Sequence, residues 1–323
     1  MELSAANLNT LFTGFDMVFQ RSFEAAPSYY EQISTVAKSS TKIGSYPFMG
    51  RTTAFRRWLG ERVIQNLEAH NYTLINEHFE DTIGIDVDDI EDDQYGVYEP
   101  SIAQLGMDAK VHPDTLIFGL LKNAVATIDN PSAAGAVVGY DGKTFFSAAH
   151  PVGKAGATTG IANVNTSGTG AYWFLVDGGR PLRPLIWQLR KPYTLVRMNA
   201  LTDEEVFKER MFRIGVDGRG AAGVGLWQLA YASNTDLSNP SNFGAAIAAI
   251  RSITTDAGLP FGGWSSPANK KFLCVPPSLE EVARQLLHSD FGAISGAAGA
   301  VAGVPGTNIW KSECTLLISE YLA

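Results

Sequence analysis

YEPSIAQLGMDAKVHPDTLIFGLLKNAVA, residues 98–126, is the stretch from which the fold can be read. Pro100 suits a first helical turn, where its missing N–H is not needed. Ile102, Leu105, Ala109, Leu116, Leu120 and Ala124 recur at helical spacing, and Ile117, Phe118 and Leu121 widen the apolar stripe. Pro113 interrupts the run. Either it bends one long helix, or His112 closes one helix and Pro113-Asp114 opens a second. In both cases the segment is about 40 Å of rod at a rise of 1.5 Å per residue. Such a rod is a spine for other elements and carries no cluster of catalytic side chains.

Upstream, residues 4–26 read as an amphipathic helix with Ser4 as N-cap and Pro27-Ser28 as its stop. Leu8, Leu11, Phe12, Phe15, Val18, Phe19 and Phe23 fall on one side. So many aromatics need a cover, either the chain's own core or a neighbouring subunit, and Phe12, Phe15 and Phe19 are the candidates for the second. Between residues 41 and 93 short alternating runs at 72–75 and 82–85 suggest the strands of a long hairpin-like excursion. Charge is segregated within it. Lys42, Arg51, Arg56, Arg57 and Arg62 are opposed only by Glu61, whereas Glu77, Glu80, Asp81, Asp86, Asp88, Asp89, Glu91, Asp92 and Asp93 are interrupted by no Lys or Arg. Like charges this dense repel unless solvated or met by opposite charge: a solvated acidic face is the default, and the sharper reading is that the two patches meet across a subunit boundary. The run DVDDIEDD is not a calcium loop: counted from Asp86, the fifth, sixth and twelfth places hold Ile90, Glu91 and Val97 instead of an oxygen ligand, Gly and Glu.

Downstream of the spine, YDGKTFFSAAHPVG (140–153) places an Asp141-Gly142 turn between apolar stretches, and His150 reads as structural for want of a second ligand nearby. Residues 154–170 and 292–306 are rich in small residues and read as surface loops, while 172–176 reads as a buried strand. Gly218, Gly220 and Gly223 match G-x-G-x-x-G after a strand-like 211–214. A dinucleotide site needs a helix next, and residues 224–231 alternate like a strand, so strand, glycine turn, strand is the expectation. Residues 243–253 read as a helix and 272–275 as a strand, Ser278 and Glu281 form a capping box for a helix to Leu287, and the chain closes on a strand over 314–322.

At 323 residues, one to three domains are expected, and 25 basic against 33 acidic residues give a formal charge of −8. An acidic chain without a basic tail is poorly suited to gripping nucleic acid through its phosphates. No run reaches the roughly 18 apolar residues of a membrane helix, and the N-terminus lacks the pattern of a signal peptide. Cys274 and Cys314 read as buried small hydrophobes of a reducing cytoplasm. No triad or metal cluster can be assembled, so the expectation is no catalytic, cofactor-binding or metal-binding residue and no membrane partner.

FTGF (12–15), WLGERVIQNLEAH (58–70), DDIEDD (88–93), HPDTLIFGLLK (112–122), YDGKTFFSAAHPVG, FRIGVDGRGAAGVGLWQLAY (212–231) and FLCVPPSLEEVARQLL (272–287) together resemble the major head subunit of Mu-type phages and prophages, from about Leu8 to the C-terminus. The resemblance implies an α+β Hong Kong 97-type capsid fold. Its parts would be an N-terminal arm over 1–40, an extended E-loop over 41–93, and a peripheral (P) domain over 94–135 and 196–235 built on the 98–126 spine. An axial (A) domain would cover 136–195 and 236–323. It implies self-assembly into hexamers and pentamers, a shell around double-stranded DNA bound without sequence specificity, a scaffold protein, a portal at one vertex and a decoration protein. The location implied is the virion, after assembly in the host bacterial cytoplasm. The alternatives are a nucleotide-dependent oxidoreductase on the glycine fingerprint and a non-viral encapsulating shell of the same fold. The strand-helix unit at 272–287 follows the P-domain strands, which is a rewired chain order in the second half. If only the connections differ, 172–176 and 315–319 should pair directly in one A-domain sheet.

Overall fold

The computed structural model describes residues 4–49, 69–92, 95–153, 159–255, 258–261, 264, 270–293 and 305–323. Residues 98–126 resolve into one helix, α4 (Glu99–Ala126), with Pro113 inside it. Its two halves face different cores. Ile102, Leu105 and Ala109 pack with helix α1 (Ala5–Ala25), helix α3 (Val87–Glu91) and strands β4 (Glu77–Asp86) and β10 (Met211–Val224). Ile117, Phe118, Leu121 and Ala124 enter a larger core shared with the second half of the chain. Thus α4 joins the two cores, as a spine does.

Helix α1 begins where Ser4 accepts the Asn7 N–H at 3.2 Å. Phe12, Phe15 and Phe19 are 0, 2 and 1 % exposed. Phe12 packs edge-on against Phe15 and against Phe212 of β10, with ring centroids 5.6 and 5.8 Å apart. A Cβ on Gly106 of α4 would lie 2.6 Å from the Phe19 carbonyl oxygen, so a glycine is what lets α1 and α4 approach this closely. These phenylalanines cover the chain's own core. Their assignment to a subunit interface is therefore corrected: helical spacing reveals that a face is buried, but not which chain buries it.

One sheet has the order β1-β9-β10-β4. Strand β1 (Ser34–Lys38), entered from the short helix α2 (Tyr30–Ile33), runs parallel to β9 (Leu185–Met198). β10 is antiparallel to β9 and β4, with helix α5 (Glu204–Glu209) in the β9–β10 connection. The glycine fingerprint lies inside β10, so the expected turn does not form there. A Cβ on Gly218 would lie 2.5 Å from the Tyr193 ring, and one on Gly220 would lie 2.8 Å from the Gln188 carbonyl oxygen and the Trp187 ring. The glycines admit bulky neighbours, and the ladder is irregular between Asp217 and Gly220. Strands β2 (Ile43–Met49) and β3 (Ala69–Ile75) pair as a separate antiparallel hairpin. Its base is tied to the sheet where Tyr46 donates to Gln188 at 2.7 Å, Gln188 to Asn76 at 2.8 Å, and the Val224 N–H to the Tyr72 hydroxyl at 3.0 Å.

The second sheet has the order β15-β12-β8-β11-β7, built from β7 (Val164–Asn165), β8 (Trp173–Asp177), β11 (Ala230–Ser233), β12 (Lys271–Val275) and β15 (Thr315–Ile318). Residues 172–176 and 315–319 do share a sheet, but β12 lies between them, antiparallel to β8 and parallel to β15. Burial explains the order. Every residue of β8 and four of five in β12 are buried, as interior strands require, whereas Thr315 of β15 is exposed and only Leu317 is fully buried. β11, expected beside β10 in the peripheral unit, pairs instead with β8 and β7. Helices α6 (Pro240–Ser252) and α7 (Glu280–His288) contribute Phe243, Ile247, Ile250, Ala283, Leu286 and Leu287 to the larger core. The capping box of α7 does not form: a 3-10 turn over Pro277–Leu279 precedes it, and Leu279 is its N-cap. Strands β5 (His150–Val152) and β6 (Thr159–Ile161) pair, as do β13 (Phe291–Ala293) and β14 (Pro305–Thr307), so part of each glycine-rich stretch is ordered into ladders and Asn163 is fully buried. Residues 154–158 and 294–304 of the two expected loops lie outside the described residues.

Candidate assembly surface

The acidic run straddles a strand and a helix. β4 carries Glu77, Glu80 and Asp81 along one margin of its sheet, since β10 pairs with only one of its sides. At its end Asp86 caps α3, accepting the Asp88 N–H at 2.8 Å. Five acidic residues in seven are stable there because some are already met. Arg210, which closes α5 in a left-handed conformation with φ 52°, bonds Asp88 and lies 3.6 Å from Glu91, and its carbonyl accepts the Val87 N–H at 3.0 Å. Tyr98 donates to Asp89, and that bond, with burial behind it, raises the phenol above its ordinary value. Among the described residues, no Lys or Arg pairs with Glu77, Glu80, Asp81, Asp86 or Asp92. Arg51, Arg56, Arg57, Arg62 and Asp93 lie outside the described residues.

Between β4, α4 and the β9–β10 pair opens a groove of about 470 Å³. Phe79 and Tyr193 line it, with the His112 ring between them at 4.5 Å from Phe79 and 5.7 Å from Tyr193. The His112 Nδ1 meets the Tyr193 hydroxyl at 2.5 Å. Burial pushes His112 down and Tyr193 up, so each is held neutral. Glu80, Asp81 and Asp108 also line the groove. Sequence reasoning found the acids of β4 but neither Asp108 nor the aromatic lining, which are brought together from positions far apart in the chain.

The cluster that looks most like chemistry is closed. His150 is 0 % exposed, its Nδ1 2.6 Å from Asp141 and its Nε2 3.2 Å from the Asn163 side-chain oxygen, and its ring stacks on Trp227 at 3.9 Å. Asn163 also accepts the Ser147 N–H at 2.9 Å and donates to the Phe145 carbonyl at 2.8 Å. The network fastens the 140–153 turn to β11 and offers no access to a substrate. Both cysteines are buried and free, with burial pushing their thiols up, away from the reactive thiolate. No group of three His, Cys, Asp or Glu among the described residues is placed to hold a metal ion, and no described helix is long and apolar enough to cross a membrane.

A spine helix bridging two sheets, with a hairpin standing off one of them, defines an α+β protein of the Hong Kong 97-type capsid class. The fold superposes on the procapsid protein of bacteriophage JBD30 with a TM-score of 0.78 and 33 % identity, covering 99 % of this chain and 100 % of that one. Against the JBD30 capsid decorated with minor capsid protein trimers, the TM-score is 0.70 and identity 25 %, over 93 % of this chain and 92 % of that one. The chain belongs to the family described as Mu-like prophage major head subunit gpT, which matches residues 8–322. It is 35 % identical over 329 residues to the major capsid protein of Escherichia phage Mu, with 100 % of both covered. It is 34 % identical to the Mu-like prophage FluMu major head subunit of Haemophilus influenzae strain Rd, covering 98 % and 97 %. It is a major head protein of a Mu-like phage.

Proposed function

We propose that copies of this chain assemble as hexamers and pentamers into an icosahedral shell around double-stranded DNA, in the cytoplasm of the host bacterium, and that the chain has no catalytic role. The full-length correspondence with a procapsid protein is the observation that carries this reading. A scaffold protein during assembly, a portal at one vertex and an outer decoration protein complete the reading, the last by analogy with the decorated JBD30 capsid. The arm, E-loop, P and A parts are placed at about 1–40, 41–93, 94–135 with 196–235, and 136–195 with 236–323, with β9 moved to the peripheral sheet beside β10, β1 and β4, and β11 moved to the second sheet. The formal charge of −8 suits a coat that encloses DNA without gripping it.

Contact between copies falls, on this reading, to the two segregated charge patches. One exposed ion pair contributes only about 0–1 kcal/mol, but repetition around a shell multiplies it. Reversing Arg56 and Arg57 to Glu should leave a folded chain, judged by circular dichroism, that forms no shells in negative stain. Shells of ordinary yield from that double variant would overturn the charge-contact reading.

A further inference from the structure

One side chain fastens both strands of the β2–β3 hairpin. Gln188 of β9 is fully buried, its Oε1 accepting the Tyr46 hydroxyl of β2 at 2.7 Å and its Nε2 donating to the Asn76 Oδ1, just past β3, at 2.8 Å. Asn76, itself buried, passes the tie on: its Nδ2 donates to the Thr41 carbonyl at 2.9 Å and its N–H to the Lys42 carbonyl at 3.1 Å. The amide therefore holds both strands and the connection from β1 to β2. Gly44 makes room for it, since a Cβ there would overlap the Gln188 Oε1. Apolar support at this root is small. Leu74, Ile186 and Ala221 form a cluster of their own, apart from the two larger cores. On the other face of the hairpin, Ile43 lies opposite Ile75 and both are exposed. Hydrogen bonds that can be exchanged for bonds to water leave a small net gain each, and a unit with few buried apolar contacts opens more easily than the whole chain unfolds. The root is thus held by polar bonds that can break while both large cores stay closed.

We propose that Gln188 is a positioning residue and the hairpin root a releasable lock. With the amide seated between Tyr46 and Asn76, the hairpin keeps one direction relative to β9 and β10. With the amide unseated, the hairpin swings about residues 40–42 and 76 while both large cores remain folded. The lock is a property of the single chain and stands whether or not copies assemble.

Two variants of the full chain, dispersed at low concentration, unseat the amide by different routes. Gln188→Met keeps the side chain's length and removes its hydrogen bonds. Gly44→Ala leaves Gln188 in place but puts a Cβ where its Oε1 sits, so the flexible amide end must leave. Spin labels on Thr73→Cys of the hairpin and Gln20→Cys of α1, both exposed positions, report the hairpin direction by double electron–electron resonance; the native Cys274 and Cys314 are buried and stay unlabelled. The wild-type background should give one narrow distance, and each variant a broadened or second one. Amide exchange separates positioning from stability at large. The Asn76 N–H and the Val224 N–H, which donates to the Tyr72 hydroxyl, should exchange at least about tenfold faster in both variants, while Phe174 of β8 and Leu273 of β12 keep their protection. A broad distance in the wild-type background, an unbroadened one in either variant, root amides as protected as before, or exchange that rises equally in β8 and β12 would each overturn the proposal.

Discussion

Asp114 sits one residue past Pro113 and is 3 % exposed, yet it is well supplied with hydrogen bonds. Its carboxylate accepts the Tyr29 N–H at 3.0 and 3.1 Å and also the Tyr30 N–H, so it caps α2 from a helix 85 residues away. Burial pushes its carboxyl upward, against the pull of these N–H groups and of Lys110. Asp114→Ala would strand the buried Tyr30 N–H and the half-buried Tyr29 N–H and should cost about 1–3 kcal/mol in urea unfolding; a change below about 0.5 kcal/mol would mean the cap is dispensable. His112, on the other side of Pro113, gives a pH dependence. Burial holds its folded pKa below the ordinary 6.5, so the unfolded chain binds the proton more readily. The stability it contributes is complete above pH 6.5 and is lost as pH falls through the lowered folded value. Thermal melts should fall across that window in the wild-type chain and fall less in His112→Gln; equal slopes would contradict the assignment.

At the scale of elements, the sequence reveals what depends on neighbours three or four residues away. α1, α4 and α6 and the apolar strands β8 and β12 lie where their periodicity and runs place them. What it conceals depends on distant partners. Glycines in β10 look like a turn in one dimension, because the Tyr193, Trp187 and Gln188 atoms that require them arrive on another strand. Gly220→Ala places a Cβ against the Gln188 backbone oxygen, which cannot rotate away, and should destabilise by about 1–3 kcal/mol in a denaturant titration. An unchanged midpoint would show that β9 and β10 shift apart cheaply. The insertion of β12 between β8 and β15 is equally invisible locally, since pairing order follows from how many faces and edges each strand must bury.

For the whole molecule, the charge segregation between residues 42–62 and 77–93 is legible from composition alone, because a run of carboxylates without cations is a linear feature. The groove is not, because it joins Asp81, Asp108, His112 and Tyr193 only after the spine has packed on the sheet. The aromatic face of α1 marks the boundary between these cases: its burial was foreseeable, but its partner, the chain's own α4 and β10, was not. Assembly is the property that all of this serves. The most direct measurement is to purify the chain expressed without other phage proteins, fractionate it by size and view it in negative stain. Closed shells of uniform diameter, or capsomers that close on concentration, are the predicted result, and a monomer that stays dispersed at every concentration would contradict it.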